Sequence, residues 1–119
     1  MSQNFQPGDF LVFQLESGFA LLRMLAVDEI EGQKVWHVAA YSDFFPDVDS
    51  AEASTNEPQR LALSNPHIAL TNRAFESTQV AKIAKLPLTD RELRQLNEWR
   101  IDPERKFSDR SVRLMLGLR

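Results

Sequence analysis

The chain has 119 residues, a formal net charge of −3 and no cysteine. This length is typical of one domain, and a folded chain of this size buries about two-thirds of its unfolded surface, so a core can form without covalent links. The absence of cysteine excludes disulfides, thiolate zinc sites and a cysteine nucleophile, and it fits a reducing compartment.

The N-terminus, MSQNFQPGDF, has neither the basic stretch nor the apolar stretch of a secretion signal. No run in the sequence approaches the roughly 18 apolar residues that cross a membrane. We therefore expect a cytoplasmic protein without membrane attachment, folded as a single domain over residues 1–119.

Three strands joined by tight turns are predicted in the first 45 residues. Residues 10–15 (FLVFQL) follow a proline–glycine turn, and their aromatic and β-branched side chains favour extended structure. Residues 19–30 (FALLRMLAVDEI) are apolar on both faces, and their flanking glycines favour a long central strand over a helix. Residues 35–45 (VWHVAAYSDFF) alternate between two faces, one of which carries His37 and Tyr41. Together these segments indicate an antiparallel meander.

Seven residues in this region have a recognisable spacing: Gly8, Asp9, Leu15, Gly18, Arg23, Met24 and Leu25. With this spacing, residues 8–41 resemble the opening of an SH3-like barrel, and also the start of bacterial polymorphic-toxin immunity proteins and related uncharacterised bacterial domains. The resemblance implies a small barrel of bacterial type that acts by binding, and it implies no catalytic residue.

The segment YSDFFPDVDSAEAS (residues 41–54) carries four acids and no base: Asp43, Asp47, Asp49 and Glu52. A calcium loop of the EF-hand type starting at Asp47 would need an oxygen ligand fifth, a glycine sixth and an acid twelfth, but alanine, glutamate and proline stand there. Residues 49–52 (DSAE) instead match a capping box, which predicts a short helix near residues 50–54. The acids then need no metal ion to explain them.

The middle of the chain gives weaker signals. Residues 60–63 and 67–72 are predicted as two short extended pieces, because Pro66 disfavours helical geometry in the residue before it. Residues 77–86 fit either a helical face or a last strand, and we predict the strand.

The clearest local signal lies near the C-terminus. Thr89 is a natural N-cap and Glu92 completes a capping box, which predicts a helix over residues 90–101. A second helix is predicted to begin at Ser108 and to end at Gly117. The sequence thus predicts an α+β fold: a bent antiparallel sheet or small SH3-like barrel over residues 8–86, with one short helix inside it, followed by two C-terminal helices over residues 89–119.

The candidate catalytic residues are few. The chain contains only two histidines, His37 and His67, each within a predicted strand. A hydrolase would need a hydroxyl and an acid beside one of them, for which Ser42 and Asp43 are candidates, but the sequence has no G-x-S-x-G motif. The histidine spacing is not that of a zinc site, and the four separated glycines form no nucleotide-binding loop. We therefore predict no catalytic residue, no metal site and no cofactor.

The charge is distributed unevenly, since residues 1–88 contain 6 basic and 11 acidic side chains whereas residues 89–119 contain 8 and 6. An acidic surface attracts basic partners. We therefore expect a non-enzymatic protein-interaction module that binds a basic protein. Its candidate partner or ligand surface has six residues: His37, Tyr41, Asp43, Asp47, Asp49 and Glu52.

Two other functions stay open. Alternation places His37, Tyr41 and Asp43 on one face at the end of the third strand, where they could form a small-ligand or enzyme site. The arginine-rich C-terminal helices could bind nucleic acid, but acids alternate with the arginines and favour a solvated surface, so this partner is less expected. If the leucines of the last helix are exposed, they would form a homodimer contact.

Overall fold

The computed structural model of the chain describes residues 4–112. Within this range, five strands form one sheet: β1 (Asp9–Leu15), β2 (Gly18–Ile30), β3 (Gln33–Phe45), β4 (Leu63–Thr71) and β5 (Ala81–Lys85). Three α-helices accompany them: α1 (Val48–Ser54), α2 (Asn72–Thr78) and α3 (Asp90–Ile101). All paired strands are antiparallel, in the order β4-β3-β2-β1-β5. The predicted α+β class is confirmed.

The sheet is open, so the small barrel, one of the two predicted architectures, is wrong. β4 and β5 form its two edges and do not pair with each other. After β3 the chain adds β4 beside β3 and then β5 beside β1, so the sheet grows on both sides instead of closing. The helix after β3 agrees with the predicted short helix, but a further helix follows β4, so the prediction that the remaining helices are all C-terminal is wrong as well.

The β1-β2-β3 meander is set by two tight turns. Two residues join β1 to β2, and Ile30 pairs with Gln33 across the next turn. In that second turn Glu31 and Gly32 both have positive φ angles, 51° and 78°. Such a backbone matches the right-handed twist of the flanking strands in a two-residue hairpin. The three predicted strands are confirmed here with small differences at their ends.

A β-bulge exchanges the faces of β2 near its middle. The register with β3 shifts between Met24 and Ala26. Simple alternation would put Val27 on the face opposite Met24, yet both pack in one core cluster, while Leu25 and Ala26 pack in another. One extra residue in a strand reverses the direction of every side chain beyond it and bends the strand.

The two extended pieces predicted at residues 60–63 and 67–72 form a single strand instead. A 3₁₀ turn at Pro58–Arg60 precedes it, and β4 then runs through Pro66 without interruption. A proline lacks the amide hydrogen that a central strand needs, but β4 is an edge strand, where the missing donor costs little.

The helix α2 is missing from the sequence prediction. It begins where Thr71 Oγ1 accepts a hydrogen bond from the amide of Ala74 (3.2 Å), and it ends at Gln79, which has a positive φ of 56°. β5 follows directly. The predicted strand within residues 77–86 is therefore confirmed over its helical alternative, although it is shorter.

Both other helices begin at a capping side chain, but the capping box predicted at residues 49–52 of α1 does not form. α1 begins two residues before the predicted start because Asp47 is its N-cap, accepting a hydrogen bond from the Ser50 amide (2.7 Å). α3 has the predicted bounds and the predicted capping box of Thr89 and Glu92. The second C-terminal helix and the homodimer contact assigned to it fall largely on residues 113–119, which lie outside the described residues. Ser108, its predicted start, forms a short parallel bridge with β4.

The sheet is covered by helices on both faces. On one face, α2 packs its Phe75 ring against Trp36 of β3, with the two rings stacked at 4.2 Å. On the other face, Ala51 of α1 and Leu96 of α3 are buried against the strands. In the part of the chain that the structure describes, no helix is long and apolar enough to cross a membrane.

Candidate functional site

Four polar side chains from four elements form a continuous chain beneath α3. Asp28 Oδ2 of β2 lies 3.0 Å from His37 Nε2 of β3, and His37 Nδ1 lies 2.9 Å from His67 Nε2 of β4. Arg100 of α3 binds the same aspartate with two hydrogen bonds, of 3.1 and 2.7 Å. We call these residues, together with Trp99, the histidine cluster.

The register of the sheet brings the cluster together. His37 pairs with Ala26 on β2 and with Ala69 on β4, so Asp28 and His67 are its diagonal neighbours on either side. A residue that lies two positions from the direct partner on the neighbouring strand is within reach of long and aromatic side chains. Both residues directly opposite His37 are alanines, whose small side chains leave room for these contacts.

The hydrogen-bond chain fixes which ring nitrogen carries each proton. An ionised carboxylate only accepts, so Nε2–H of His37 donates to Asp28. His37 Nδ1 is then an acceptor, and Nε2–H of His67 donates to it. Both ring nitrogens of His37 are therefore occupied, and none is left to activate a hydroxyl group as a catalytic base would.

Burial keeps both rings neutral. The His37 ring is fully buried, and this burial lowers its pKa, although the Asp28 carboxylate acts in the opposite direction. The pKa of His67 falls to about 4 through its own burial and the nearby His37 and Arg100. The hydrogen bond from Arg100 holds the pKa of Asp28 below its ordinary value. At neutral pH the cluster thus contains one carboxylate, one guanidinium and two neutral imidazoles.

Trp99 covers the two histidines. Its ring meets His37 edge-on at 4.7 Å and lies 5.8 Å from His67, with both distances taken between ring centroids. The indole N–H donates to the carbonyl of Lys106 (2.9 Å), which fixes the ring in place. The Arg105 guanidinium lies 5.3 Å from the centroid of the Trp99 ring, in cation–π geometry. The cluster therefore fastens α3 and the following loop to the sheet.

Tyr41 and Asp43 do not join His37. Tyr41 is buried beside Phe10 under α1, with the two rings stacked at 6.3 Å, and burial raises the pKa of its hydroxyl to about 12. Asp43 Oδ1 accepts a hydrogen bond from the Ala62 amide (2.9 Å) and so ties the end of β3 to the segment before β4. The three side chains predicted to share one site have separate contacts.

Asp43, Asp47, Asp49 and Glu52 form what we call the acidic surface. None of these four carboxylates has an ion pair among residues 4–112. The hydrogen bond from the Ser50 amide lowers the pKa of Asp47, so this N-cap is ionised at neutral pH. Asp49 and Glu52 also line a shallow groove of about 340 Å³ between α1 and β5. The surface therefore presents four uncompensated negative charges.

Large apolar side chains lie next to the acidic surface. Phe44 at the end of β3 is 56% exposed and Leu63 at the start of β4 is 52% exposed. Val48, in the first turn of α1, is exposed as well. Hydrophobic side chains of this size are exposed singly on many proteins, but here Phe44 and Val48 lie between acids in the sequence, and Leu63 follows the segment that Asp43 binds.

The basic side chains of α3 are not gathered into one patch. Arg91 and Arg94 share a groove with Asp90 and Glu98, so the lining of this groove carries both signs of charge. Arg100 is engaged by Asp28. Nucleic-acid binding by this part of the chain stays a prediction, and the arginines beyond residue 112 lie outside the described part.

Sequence reasoning missed the partners of His37, although one signal was present. A two-residue turn at 31–32 fixes the β2-β3 register, and counting back from it places Asp28 diagonally opposite His37. No such count finds Arg100 and Trp99, because their position depends on how α3 lies across the sheet. Among residues 4–112, no three histidine, aspartate or glutamate side chains are arranged to hold a metal ion.

Comparisons of the chain with protein-family models, with curated proteins and with solved structures found no match. The geometry of the histidine cluster and of the acidic surface is therefore the basis for a functional proposal.

Proposed function

We propose that this protein is a non-enzymatic interaction module that binds a basic protein partner through the acidic surface. The observation that carries the proposal is the absence of any ion pair at Asp43, Asp47, Asp49 and Glu52 among the described residues, next to exposed apolar side chains. Uncompensated charge attracts an oppositely charged surface and speeds its association.

The exposed apolar side chains add the free energy of hydrophobic burial to the electrostatic attraction. Fully burying a phenylalanine or leucine side chain contributes about 1.5–3 kcal/mol. Phe44 and Leu63 expose about half of their surface, so a partner that covers them gains part of that energy. Protein interfaces commonly combine such apolar anchors with a charged rim.

The histidine cluster supports this function indirectly. It fastens α3 to the sheet with Arg100, and Ala51 of α1 is buried on the same face, so the helix that carries Asp49 and Glu52 is held against the sheet. A preformed surface loses less conformational entropy on binding than a mobile one. The resemblance of residues 8–41 to toxin immunity proteins would make the partner a toxin domain with a basic surface.

Affinity isolation with matched variants tests the proposal. Asp49→Asn/Glu52→Gln removes two charges that form no ion pair with any other of residues 4–112, and Phe44→Ser removes the apolar anchor. The control Glu16→Gln/Glu98→Gln removes the same charge from exposed positions elsewhere. We expect one basic protein to be recovered from native lysate by the wild type and the control, and to be lost with both test variants.

Salt provides a second criterion. Raising the ionic strength from about 50 to about 300 mM shortens the screening length from roughly 14 to 6 Å, so recovery of the partner should fall steeply. A partner whose recovery is unaffected by salt and by the Asp49/Glu52 variant, or the recovery of no specific partner at all, would contradict the proposal.

A further inference from the structure

A groove of about 340 Å³ lies between α1 and β5, on the sheet face that α1 covers. One wall is a single stripe of α1 at positions i, i+3, i+4 and i+7, which are Asp49, Glu52, Ala53 and Asn56. β5 forms the other wall, and it is an edge strand of the sheet. The volume is at the lower end of the roughly 300–1,000 Å³ of ligand pockets, which suits one long side chain.

We propose that this groove receives an arginine side chain of the basic partner. The proposal rests on the proposed function and deepens it, because it names the group that the acidic surface recognises. The guanidinium meets Asp49 and Glu52, and the aliphatic stem of the arginine lies along Ile83 and Ala84.

A β-bulge in β5 builds the apolar wall of the groove. The adjacent residues Phe10 and Leu11 of β1 pair with Ala84 and Lys82. Ile83 therefore stands between these partners as an extra residue of β5. Ile83 and Ala84 both pack with the core cluster beneath α1, and both line the groove. Bulges are common at sheet edges, where they redirect a side chain, and here two adjacent residues turn apolar side chains toward one groove.

The same register turns the lysines of β5 away from the groove. Lys82 is opposite Leu11, which packs in the core cluster beneath α2 on the other face. The Lys82 ammonium lies 3.4 Å from the buried carboxylate of Asp9, and that of Lys85 donates to Gln6 Oε1 (2.6 Å). Among residues 4–112, no basic side chain lines the groove. Its two acids are therefore left for a cation from another molecule.

The polar lining of the groove fits a group that only donates hydrogen bonds. Among the described residues, four polar side chains line the groove, and three of them only accept. Two are the carboxylates of Asp49 and Glu52, about one helical turn apart. The third is Thr55, 4% exposed, whose hydroxyl proton is donated to the carbonyl of Glu52 (2.6 Å). A guanidinium has several N–H donors and no acceptor, and its planar fork serves neighbouring oxygens better than the ammonium of lysine does.

The test uses three capped amino acids as probes: the N-acetyl amides of arginine, of lysine and of citrulline, which is the neutral analogue of arginine. Amide chemical shifts of labelled protein are followed by NMR at low ionic strength. We expect the arginine probe to shift the amides of residues 49–56 and 83–84 in a saturable way. Its affinity should exceed that of the citrulline probe at least about fivefold and that of the lysine probe about twofold.

Matched variants separate the groove from general attraction of cations. Asp49→Asn/Glu52→Gln should weaken binding of the arginine probe about tenfold. Glu16→Gln/Glu98→Gln, which removes the same charge elsewhere, should change it less than about twofold. Ala53→Leu puts a larger side chain into the groove at constant charge and should weaken binding at least about fivefold, whereas Ala53→Ser should stay within about twofold. These positions are exposed, so unchanged amide shifts outside the groove will show that each variant is folded.

Isolation of the partner keeps this proposal apart from the interaction function. Ala53→Leu retains all four acids of the acidic surface, and we expect it to lose the partner that Ala53→Ser recovers. Equal recovery by Ala53→Leu and the wild type would overturn the groove proposal and leave the interaction function in place. Recovery of no basic protein would contradict the interaction function, whereas saturable binding of the arginine probe would still support the groove.

Two results with the probes would also overturn the proposal. The first is the absence of a saturable shift up to about 20 mM of the arginine probe. The second is an affinity for the citrulline or lysine probe equal to that for the arginine probe, which would mean that the groove does not recognise a guanidinium.

Discussion

At the scale of single residues, Asp28 is the centre of the histidine cluster. Its carboxylate accepts from His37 and from Arg100 at the same time, and only about a fifth of its side chain is exposed, at 21%. Removing one member of such a group leaves the others with unpaired donors, and an unpaired buried donor costs more than the bond itself contributed.

We therefore predict that Asp28→Asn lowers the free energy of unfolding by about 2–3 kcal/mol. The asparagine amide keeps the size of the aspartate but loses the charge that binds Arg100. Urea unfolding followed by circular dichroism measures the change. Asp49→Asn, the same substitution at an exposed position of α1, should stay within about 0.5 kcal/mol of the wild type. Equal stability of the two variants would show that the cluster does not hold the fold.

The protonation of His37 gives a second prediction at this scale. Burial lowers the pKa of His37 and the Asp28 carboxylate opposes that effect. In Asp28→Asn the opposing charge is gone, so the pKa of His37 should fall further. NMR titration of the imidazole carbon-bound protons of the wild type and the variant tests this, and a higher His37 pKa in the variant would contradict the assigned contact.

At the scale of elements, α3 is anchored at both ends by charged contacts. At its N-terminus Glu92 completes the capping box with Thr89 and also binds Arg23, whose side chain is buried in the sheet at 2% exposure. Burial opposes ionisation of Glu92, but the hydrogen bonds from Arg23 and Thr89 outweigh it and lower its pKa. Arg23 further donates to the carbonyls of Gly8 and Pro87.

These two roles predict different costs for substitutions at Thr89 and at Glu92. Thr89→Ala removes a cap and should cost about 1 kcal/mol, whereas Thr89→Ser keeps the hydroxyl and should cost a few tenths. Glu92→Gln keeps a weakened cap but leaves the buried Arg23 without its carboxylate, so it should cost about 2–3 kcal/mol. The order of the three unfolding midpoints in urea is the test, and a smaller cost for Glu92→Gln than for Thr89→Ala would contradict it.

The elements also show why only part of the fold could be predicted from the sequence. The signals for α3 and for the two tight turns are local: a capping box at Thr89 and Glu92, and glycine at Gly32. β4 and α2 have no comparable local signal. Pro66 disfavours a strand unless it lies at an edge, and which strand is an edge is decided by the whole sheet.

At the scale of the molecule, one candidate site could be predicted from the sequence and the other could not. The acidic surface could be found from the sequence because its four acids lie close together along the chain. The histidine cluster joins residues that are far apart in the sequence, such as Asp28 with Arg100 and His37 with Trp99. Its formation depends on how α3 crosses the sheet, which no residue spacing reveals.

The whole molecule should also respond to acid through its two histidines. Both have a folded pKa below the ordinary value of 6.5, and that of His67 is about 4. Between these values the unfolded chain binds protons that the folded chain does not. The contribution of the two histidines to the free energy of unfolding is therefore fully present above about pH 6.5 and is lost as the pH falls toward 4. The lowered pKa of Asp28 adds a further loss below its ordinary value of 3.8.

Between pH 7 and pH 4.5, we predict that the free energy of unfolding of the wild type falls by about 1–2 kcal/mol more than that of the His67→Gln variant. The full pKa shift would imply a larger change, but solvent screens the half-buried His67 ring. Glutamine retains an N–H that can donate to His37 but takes up no proton, so the variant should show a flatter pH dependence whatever its stability at pH 7. Urea unfolding at several pH values measures both slopes. Parallel slopes would mean that His67 has the same pKa in the folded and unfolded chain, and therefore that its buried contact with His37 does not form.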